Sequence, residues 1–128
     1  MKQPFVVRGR LGACALAALA AGCGGLQAYE GERLPPAERA VVDADPAFSA
    51  GLPVQVLLRK VDDFEVPASR SSVEVRPGPH VFVVDCRLAE TGSSTRFVIE
   101  AEVDAGAAYR LVAEASAVAC ERVSLQRR

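Results

Sequence analysis

Five stretches of the chain alternate between apolar and polar residues, and this period of two is the feature that most restricts the fold. In the first stretch, Val54, Val56 and Leu58 fall on one side of an extended chain, whereas Gln55 and Arg59 fall on the other. Similar alternation recurs at residues 71–76, 80–88, 96–103 and 109–115. Because successive side chains of a strand point to opposite faces, the pattern predicts strands with one buried and one solvated face.

Turn-forming residues separate these stretches, at Pro46, 51–53, Pro67, 77–79, 92–94 and 104–106. Five to seven strands at this spacing, the last near residues 118–125, predict an all-β fold. We expect a small antiparallel β-sandwich, or a small barrel, over residues 37–128. Two segments stay open, because residues 37–42 fit a short helix or a strand and the alanine-rich residues 113–119 also fit a helix.

The N-terminus has the three parts of an export signal. Lys2, Arg8 and Arg10 form a basic region, residues 11–21 form an apolar run, and small residues then precede Cys23. The run is shorter than the roughly 20 apolar residues of a membrane-spanning helix. We therefore predict that residues 1–22 are a signal peptide that is cleaved.

The sequence Ala20-Ala21-Gly22-Cys23 resembles the lipobox of bacterial lipoproteins, although Ala20 stands where that family usually has leucine. The resemblance implies that the Cys23 thiol is lipidated and holds the protein to a membrane. Residues 23–36 would then be the lipidated cysteine and a tether. By the same resemblance, the glycines after Cys23, in place of aspartate, imply the outer membrane. We expect the domain to face the periplasm. The alternative is an ordinary secretory signal with an A-x-A-like cleavage site.

Charge argues against one class of partner. All 16 acidic residues lie after residue 22, with 12 of the 15 basic residues, so the segment 23–128 has a net charge of −4. Nucleic-acid binding draws most of its affinity from a basic surface. We therefore expect no nucleic acid partner.

Apart from Cys14 in the signal and Cys23 at the cleavage site, two cysteines remain, Cys86 and Cys120. An even pair in an exported chain favours a disulfide, which would join a middle strand to the last one. A metal site with His80, a Cys–His nucleophile and two free thiols are the alternatives. The positions contain no C-x-x-C pair, and a structural zinc site takes four ligands.

The stretch "RPGPHVFVV" is the most specific local motif. Pro77 fixes φ and Gly78 permits positive φ, so the pair predicts a type II turn between antiparallel strands. Pro79 has no N–H, so we expect strand pairing to begin at His80. His80, the chain's one histidine, shares parity with Phe82, and we expect its ring nitrogens to contact a loop carbonyl. The functional alternative is a ligand-binding or pH-sensitive contact.

A second resemblance covers most of the chain after the signal. The stretches "YEGERLPPAERAVV" (29–42) and "VEVRPGPHVFVV" (73–84) resemble small bacterial envelope lipoproteins of uncharacterised function. The Pro-Gly-x-His element also resembles PEGA-type surface domains, which are small β-sandwich modules. The resemblance implies a fold and a location, and it supplies no catalytic residues.

The carboxylates form no recognised catalytic or metal-binding motif. They are Asp43 and Asp45 before Pro46, the turn 62–65, and the pair Glu100 and Glu102 on one strand face; none follows the alternating calcium-loop pattern. No G-x-S-x-G, Walker or Rossmann motif is present. We therefore expect a non-enzymatic envelope lipoprotein, without metal or cofactor, whose sandwich binds a protein or cell-wall glycan. The alternative is a periplasmic sensor that binds a small ligand or metal through His80 and the acidic turns.

Overall fold

The computed structural model describes residues 25–44, 47–49 and 52–128. The predicted signal peptide, Cys23 and Asp45 lie outside these ranges. The described strands are β1 (Leu26–Gln27), β2 (Ala40–Asp43), β3 (Ala47–Ser49), β4 (Leu52–Val61), β5 (Phe64–Glu65), β6 (Ser72–Val75), β7 (Gly78–Leu88), β8 (Ser94–Val103), β9 (Ala108–Ala115) and β10 (Cys120–Arg127). A single turn of 3-10 helix spans Pro36–Glu38.

The strands form two sheets, so the predicted all-β fold is confirmed. The first sheet has the order β1-β6-β2-β9-β10, and the second has the order β3-β4-β7-β8 with β5 paired to β4. The second sheet is antiparallel throughout. The first is mixed rather than purely antiparallel, because β1 pairs with β6, and β2 with β9, in parallel. Both parallel pairs join strands far apart in sequence, as parallel pairing requires.

The apolar faces of the alternating stretches meet between the sheets. Val54, Val56 and Leu58 of β4 are each at most 2% exposed, and Phe82 and Val84 of β7 are fully buried. The inner faces predicted for these stretches are therefore confirmed. Tyr109, Leu111 and Ala113 of β9 are also buried in the same core.

A β-bulge interrupts the alternation of β4. The ladder with β7 is shifted between Leu58 and Lys60, so Val61 is buried where strict alternation would bury Lys60. A bulge adds one residue on one strand and thereby reverses the inward and outward positions that follow it. The bulge keeps a lysine out of the core.

The two ambiguous segments have clear outcomes. Residues 37–42 contain a helical turn and then a strand, since the 3-10 turn Pro36–Glu38 is followed after Arg39 by β2. The alanine-rich segment 113–119 is not helical: β9 continues to Ala115, and a turn closed by hydrogen bonds between Ser116 and Ala119 leads into β10. Inward-facing Ala113 and Ala115 pack in the core, so tertiary burial overrides the helical preference of alanine.

The strands begin earlier than the boundary predicted at residue 37. Leu26 and Gln27, inside the predicted tether 23–36, pair with Val73 and Glu74 of β6. Gly25 packs so closely that a Cβ placed there would lie 2.9 Å from the Ser72 carbonyl oxygen. The described part of this segment is therefore an integral edge of the first sheet. We call the end of the sandwich at Gly25 and Ser72 the proximal end.

The Pro77–Gly78 turn differs from the predicted hairpin. β6 lies in the first sheet and β7 in the second, so the turn carries the chain between sheets and does not join paired strands. Gly78 has the expected positive φ, at +119°. Pairing with β8 already begins at Gly78 instead of at His80. Pro79 is tolerated because β4 pairs with β7 only as far as Phe82, so β7 has one neighbour at that point. This turn marks the distal end of the sandwich.

A disulfide joins the two sheets through the core. Cys86 lies on the inner face of β7, and Cys120 begins β10 in the opposite sheet. Both are buried. The predicted pairing of these two cysteines is confirmed, and neither is a free thiol or metal ligand.

Candidate functional site

His80 lies at the distal end, held between two oxygen atoms. Its Nδ1 is 2.6 Å from Oδ2 of Asp62, and its Nε2 is 2.6 Å from the backbone oxygen of Arg76. The contact with a loop carbonyl is the one expected from the sequence. A neutral imidazole carries one N–H and can donate to only one of these oxygens, whereas the protonated ring donates to both.

Asp62 fastens the tip of the β4–β5 hairpin to β7. Its backbone N–H donates to the Val81 carbonyl (2.8 Å), and its Oδ1 accepts from the Val81 N–H (2.9 Å). The residue has φ of +53°, a region that few non-glycine residues adopt and that aspartate tolerates better than most. Burial raises the pKa of the Asp62 carboxyl, but hydrogen bonds from His80 and Val81 and the charge of His80 outweigh it, so the pKa lies below the ordinary 3.8.

Arg76 and Tyr29 form the other wall of the site. The Arg76 guanidinium lies over the Tyr29 ring, 5.0 Å from its centroid, and its Nη2 donates to the Glu30 carbonyl at 2.7 Å. The Tyr29 hydroxyl accepts a hydrogen bond from the Leu34 N–H (2.9 Å). Such stacking of a cation on an aromatic ring fixes both side chains.

These groups line an open cleft of about 280 Å³, which we call the distal cleft. The wall residues are Ala28, Tyr29, Glu30, Val61, Asp62, Asp63, Phe64, Arg76 and His80. From the sequence, only the alternative hypothesis of a ligand-binding sensor combined His80 with the acidic turns, and no role was assigned to Tyr29 or Arg76. A ring, a guanidinium and several carboxylates suit the binding of a polar ligand by hydrogen bonds and stacking.

The contacts of His80 in the distal cleft leave little room for a metal ion, because both ring nitrogens already face protein oxygens. Across the ranges that the structure describes, no three His, Cys, Asp or Glu side chains are grouped so that they could hold a metal ion. Of the other acidic positions, Asp43 pairs with Arg128, while Glu100 and Glu102 lie exposed on β8. The described part of the chain contains no helix long and apolar enough to span a membrane.

A buried ion cluster, which sequence reasoning missed, lies beside the cleft. Alternation placed Glu74 on the solvated face of β6, yet its side chain is 1% exposed. Its Oε1 lies 3.1 Å from Arg33 Nε and 3.6 Å from Arg39 Nη1. The loop between β1 and β2 therefore covers the outer face of β6. The one signal in the sequence was two arginines in a segment that also contains Pro35-Pro36.

A third ionic group lies on the outer face of the second sheet. Asp85 accepts two hydrogen bonds from Arg96 across the β7–β8 ladder, at 2.8 and 3.1 Å, and Arg59 lies 3.7 Å away. The hydrogen bond from Arg96 lowers the pKa of Asp85, against an opposing effect of burial, and the charges of Arg96 and Arg59 lower it further.

The fold and the site together define a small disulfide-linked β-sandwich with a polar cleft at one end. Compared with family models, with curated proteins and with solved structures, the chain matches none of them.

The lowered pKa of Asp62 has a consequence for acid stability. Because the folded protein holds this carboxyl in the charged form more strongly than the unfolded chain does, its stabilisation is present above about pH 5 and is lost as the pH falls through the folded pKa. We expect Asp62→Asn to flatten the decrease in the free energy of unfolding between about pH 5 and pH 3. Guanidinium denaturation across this range measures the slope.

Asp63→Asn is the matched control for this change. It removes the same formal charge from the same turn but leaves the contacts of Asp62 with His80 and Val81 in place. An equal flattening in both variants would show that the slope reflects the general charge of the turn and would contradict the role given to Asp62.

Proposed function

We propose that the protein is a lipid-anchored envelope lipoprotein without enzymatic activity, whose β-sandwich binds an envelope protein or a cell-wall glycan. The observation that carries the proposal is the sequence of residues 1–23, in which a basic region and an apolar run lead into Ala20-Ala21-Gly22-Cys23. Small residues fit a narrow protease site, and cysteine alone provides a thiol for attachment of a lipid. Several acyl chains would give stable anchoring, which a single chain does not.

The packing of Gly25 supports an anchor close to the folded domain. Only Gly24 separates Cys23 from Gly25, which lies against Ser72 at the proximal end. Lipid on Cys23 would therefore hold the sandwich against the membrane surface, with no long spacer between them. The four residues of β6, at about 3.3 Å per residue, separate the distal cleft from the proximal end by roughly 13 Å.

The chemistry of the distal cleft supports a polar partner. The guanidinium of Arg76, the ring of Tyr29 and the carboxylates of Asp62 and Asp63 are groups that hydrogen-bond or stack with peptides and with sugars. Residues 28–30 of the cleft follow the proposed anchor by a few positions. A partner in this cleft would therefore be one that lies near the membrane surface.

Replacing the proposed lipidated cysteine tests the anchor. We expect wild-type protein to sediment with membranes and to incorporate a labelled fatty acid, and we expect Cys23→Ser to lose both properties and appear in the soluble periplasmic fraction. Cys14→Ser is the control, since it alters a cysteine of the same segment outside the proposed lipobox. Membrane association of Cys23→Ser equal to that of wild type would contradict the proposal.

The binding role is tested in the same cells with a photo-reactive residue at position 30, on the rim of the distal cleft. We expect a specific cross-linked partner, protein or glycan, that is lost with Arg76→Glu while the membrane fraction of the protein is unchanged. Cross-linking that is unaffected by Arg76→Glu would argue against the distal cleft as the binding surface.

A further inference from the structure

The outer edge of the second sheet is unusually long and regular. β8 (Ser94–Val103) pairs with β7 on one side along its whole length, without a bulge, and it contains no proline. In the part of the chain that the structure describes, no strand pairs with its other side. The other edges in the described ranges are short or irregular: β1 and β5 have two residues each, β3 has three, and β10 has a bulge near Cys120. Long edges that have no bulge or proline and no covering segment can pair with another chain.

The exposed face of β8 is apolar at its centre and charged on both sides. Val98 is 64% exposed, and it pairs across the ladder with half-buried Val83. Arg96 precedes it by two positions and Glu100 follows by two, so both project from the same face. On the inner face, Phe97 and Ile99 are only partly buried although they pack against the core.

We propose that two copies of the protein associate by antiparallel pairing of their β8 strands about a two-fold axis at Val98. In this register Val98 faces Val98, and Arg96 of each copy faces Glu100 of the other. Phe97 of each copy likewise lies opposite Ile99 of the other, so the partly covered inner face is extended. The interface is isologous, with one patch complementary to itself.

The charges select this register over its neighbours. A shift that brings Arg96 opposite Glu102 places Val98 opposite Glu100, and a shift the other way places Arg96 opposite Val98. Only pairing centred on Val98 combines two Arg–Glu pairs with an apolar contact. Opposite charges across a ladder favour pairing, and like charges oppose it.

The existing contacts of Arg96 are compatible with a second carboxylate. Its Nε and Nη2 donate to Asp85, while its side chain remains 60% exposed. Glu100 forms no ion pair with any residue in the described ranges. In the dimer, Arg96 would lie in a row between Asp85 of its own chain and Glu100 of the second copy.

The arrangement also accommodates two lipid anchors. A two-fold axis perpendicular to the paired sheets reverses the strands but keeps both first sheets on one side of the dimer. Gly25 immediately precedes β1 of the first sheet in each copy, so both N-termini lie on that side, at opposite ends of the dimer. This orientation rests on the proposed lipidation, whereas the dimer itself does not.

A charge exchange tests the interface in protein purified with and without Cys23→Ser. We expect Glu100→Arg to place like charges opposite each other and to raise the dimer dissociation constant at least tenfold in analytical ultracentrifugation. Adding Arg96→Glu should restore dimerisation, a rescue that damage to the fold would not produce. Thermal melting of each variant shows whether the monomer is folded.

A single cysteine tests the register. Val98→Cys should form an intermolecular cross-link under mild oxidation, because the two positions meet on the axis, and the cross-link should disappear in the Glu100→Arg background. Val118→Cys, at the more exposed valine of the β9–β10 loop (76%), is the control for random collision. The proposal would be overturned by a wild-type protein that stays monomeric or by equal cross-linking at both positions. The partner strand of β8 would then be an extended segment of another protein.

Discussion

Replacing both Arg33 and Arg39 by methionine is expected to lower the free energy of unfolding by about 3–5 kcal/mol. Glu74, which the two arginines flank, is 1% exposed and lies on a strand covered on both faces. Without the arginines its carboxylate would be a buried charge lacking a cationic partner, which is far more destabilising than the loss of an exposed pair. Methionine keeps much of the packing volume of the arginine stem. Chemical denaturation measures the change.

Two further variants distinguish buried charge from lost packing. Adding Glu74→Met to the double variant removes the unpaired carboxylate and should recover most of the stability, since apolar groups can replace a buried ion cluster with little net change. Arg122→Met removes an exposed partner of Glu114 and should change stability by at most about 1 kcal/mol. If the triple variant were no more stable than the double one, the cluster would be acting through packing rather than charge.

Removing the disulfide with Cys86→Ala and Cys120→Ala together is expected to lower the free energy of unfolding by about 3–4 kcal/mol. The bond closes a loop with a sequence separation of 34, and the loss follows from the added freedom of the unfolded chain in the chain-entropy model. Alanine at both buried positions introduces no unpaired polar group. Circular dichroism should remain that of a β-protein, with a lower denaturation midpoint.

Reduction of the wild-type protein provides an independent measurement of the same quantity. Denaturation with excess reductant should give nearly the midpoint of the double alanine variant, whereas reductant should leave that variant unchanged. A double variant as stable as oxidised wild type would show that packing between β7 and β10 holds the sheets together without the bond.

Several features of the fold follow directly from the sequence because they depend on local periodicity. The inner faces of β4, β7 and β9 were predicted, since each strand alternates over many residues and one face is strongly apolar. The short strands β1, β3 and β5 have too few residues for a period to register. The two parallel pairings in the first sheet likewise join segments that share no local signal.

The distal cleft was predicted only in part. His80 and the turn containing Asp62 stood out as residue types, but they are 18 positions apart and meet because β7 passes beside the tip of the β4–β5 hairpin. Arg76 and Tyr29 stack across a separation of nearly fifty residues. Such contacts depend on which strands become neighbours, which periodicity does not specify.

Glu74 shows most clearly which features the sequence determines and which the tertiary structure determines. The sequence by itself determined the strand: Val73 and Val75 flank a charged residue, so β6 buries one face and turns Glu74 to the other. Whether that other face meets water was decided only by the tertiary structure, in which the loop from Tyr29 to Arg39 folds over it and brings two guanidinium groups to the carboxylate. The physical reason is that alternation fixes the direction of a side chain through local backbone geometry, while burial depends on which distant segment covers it.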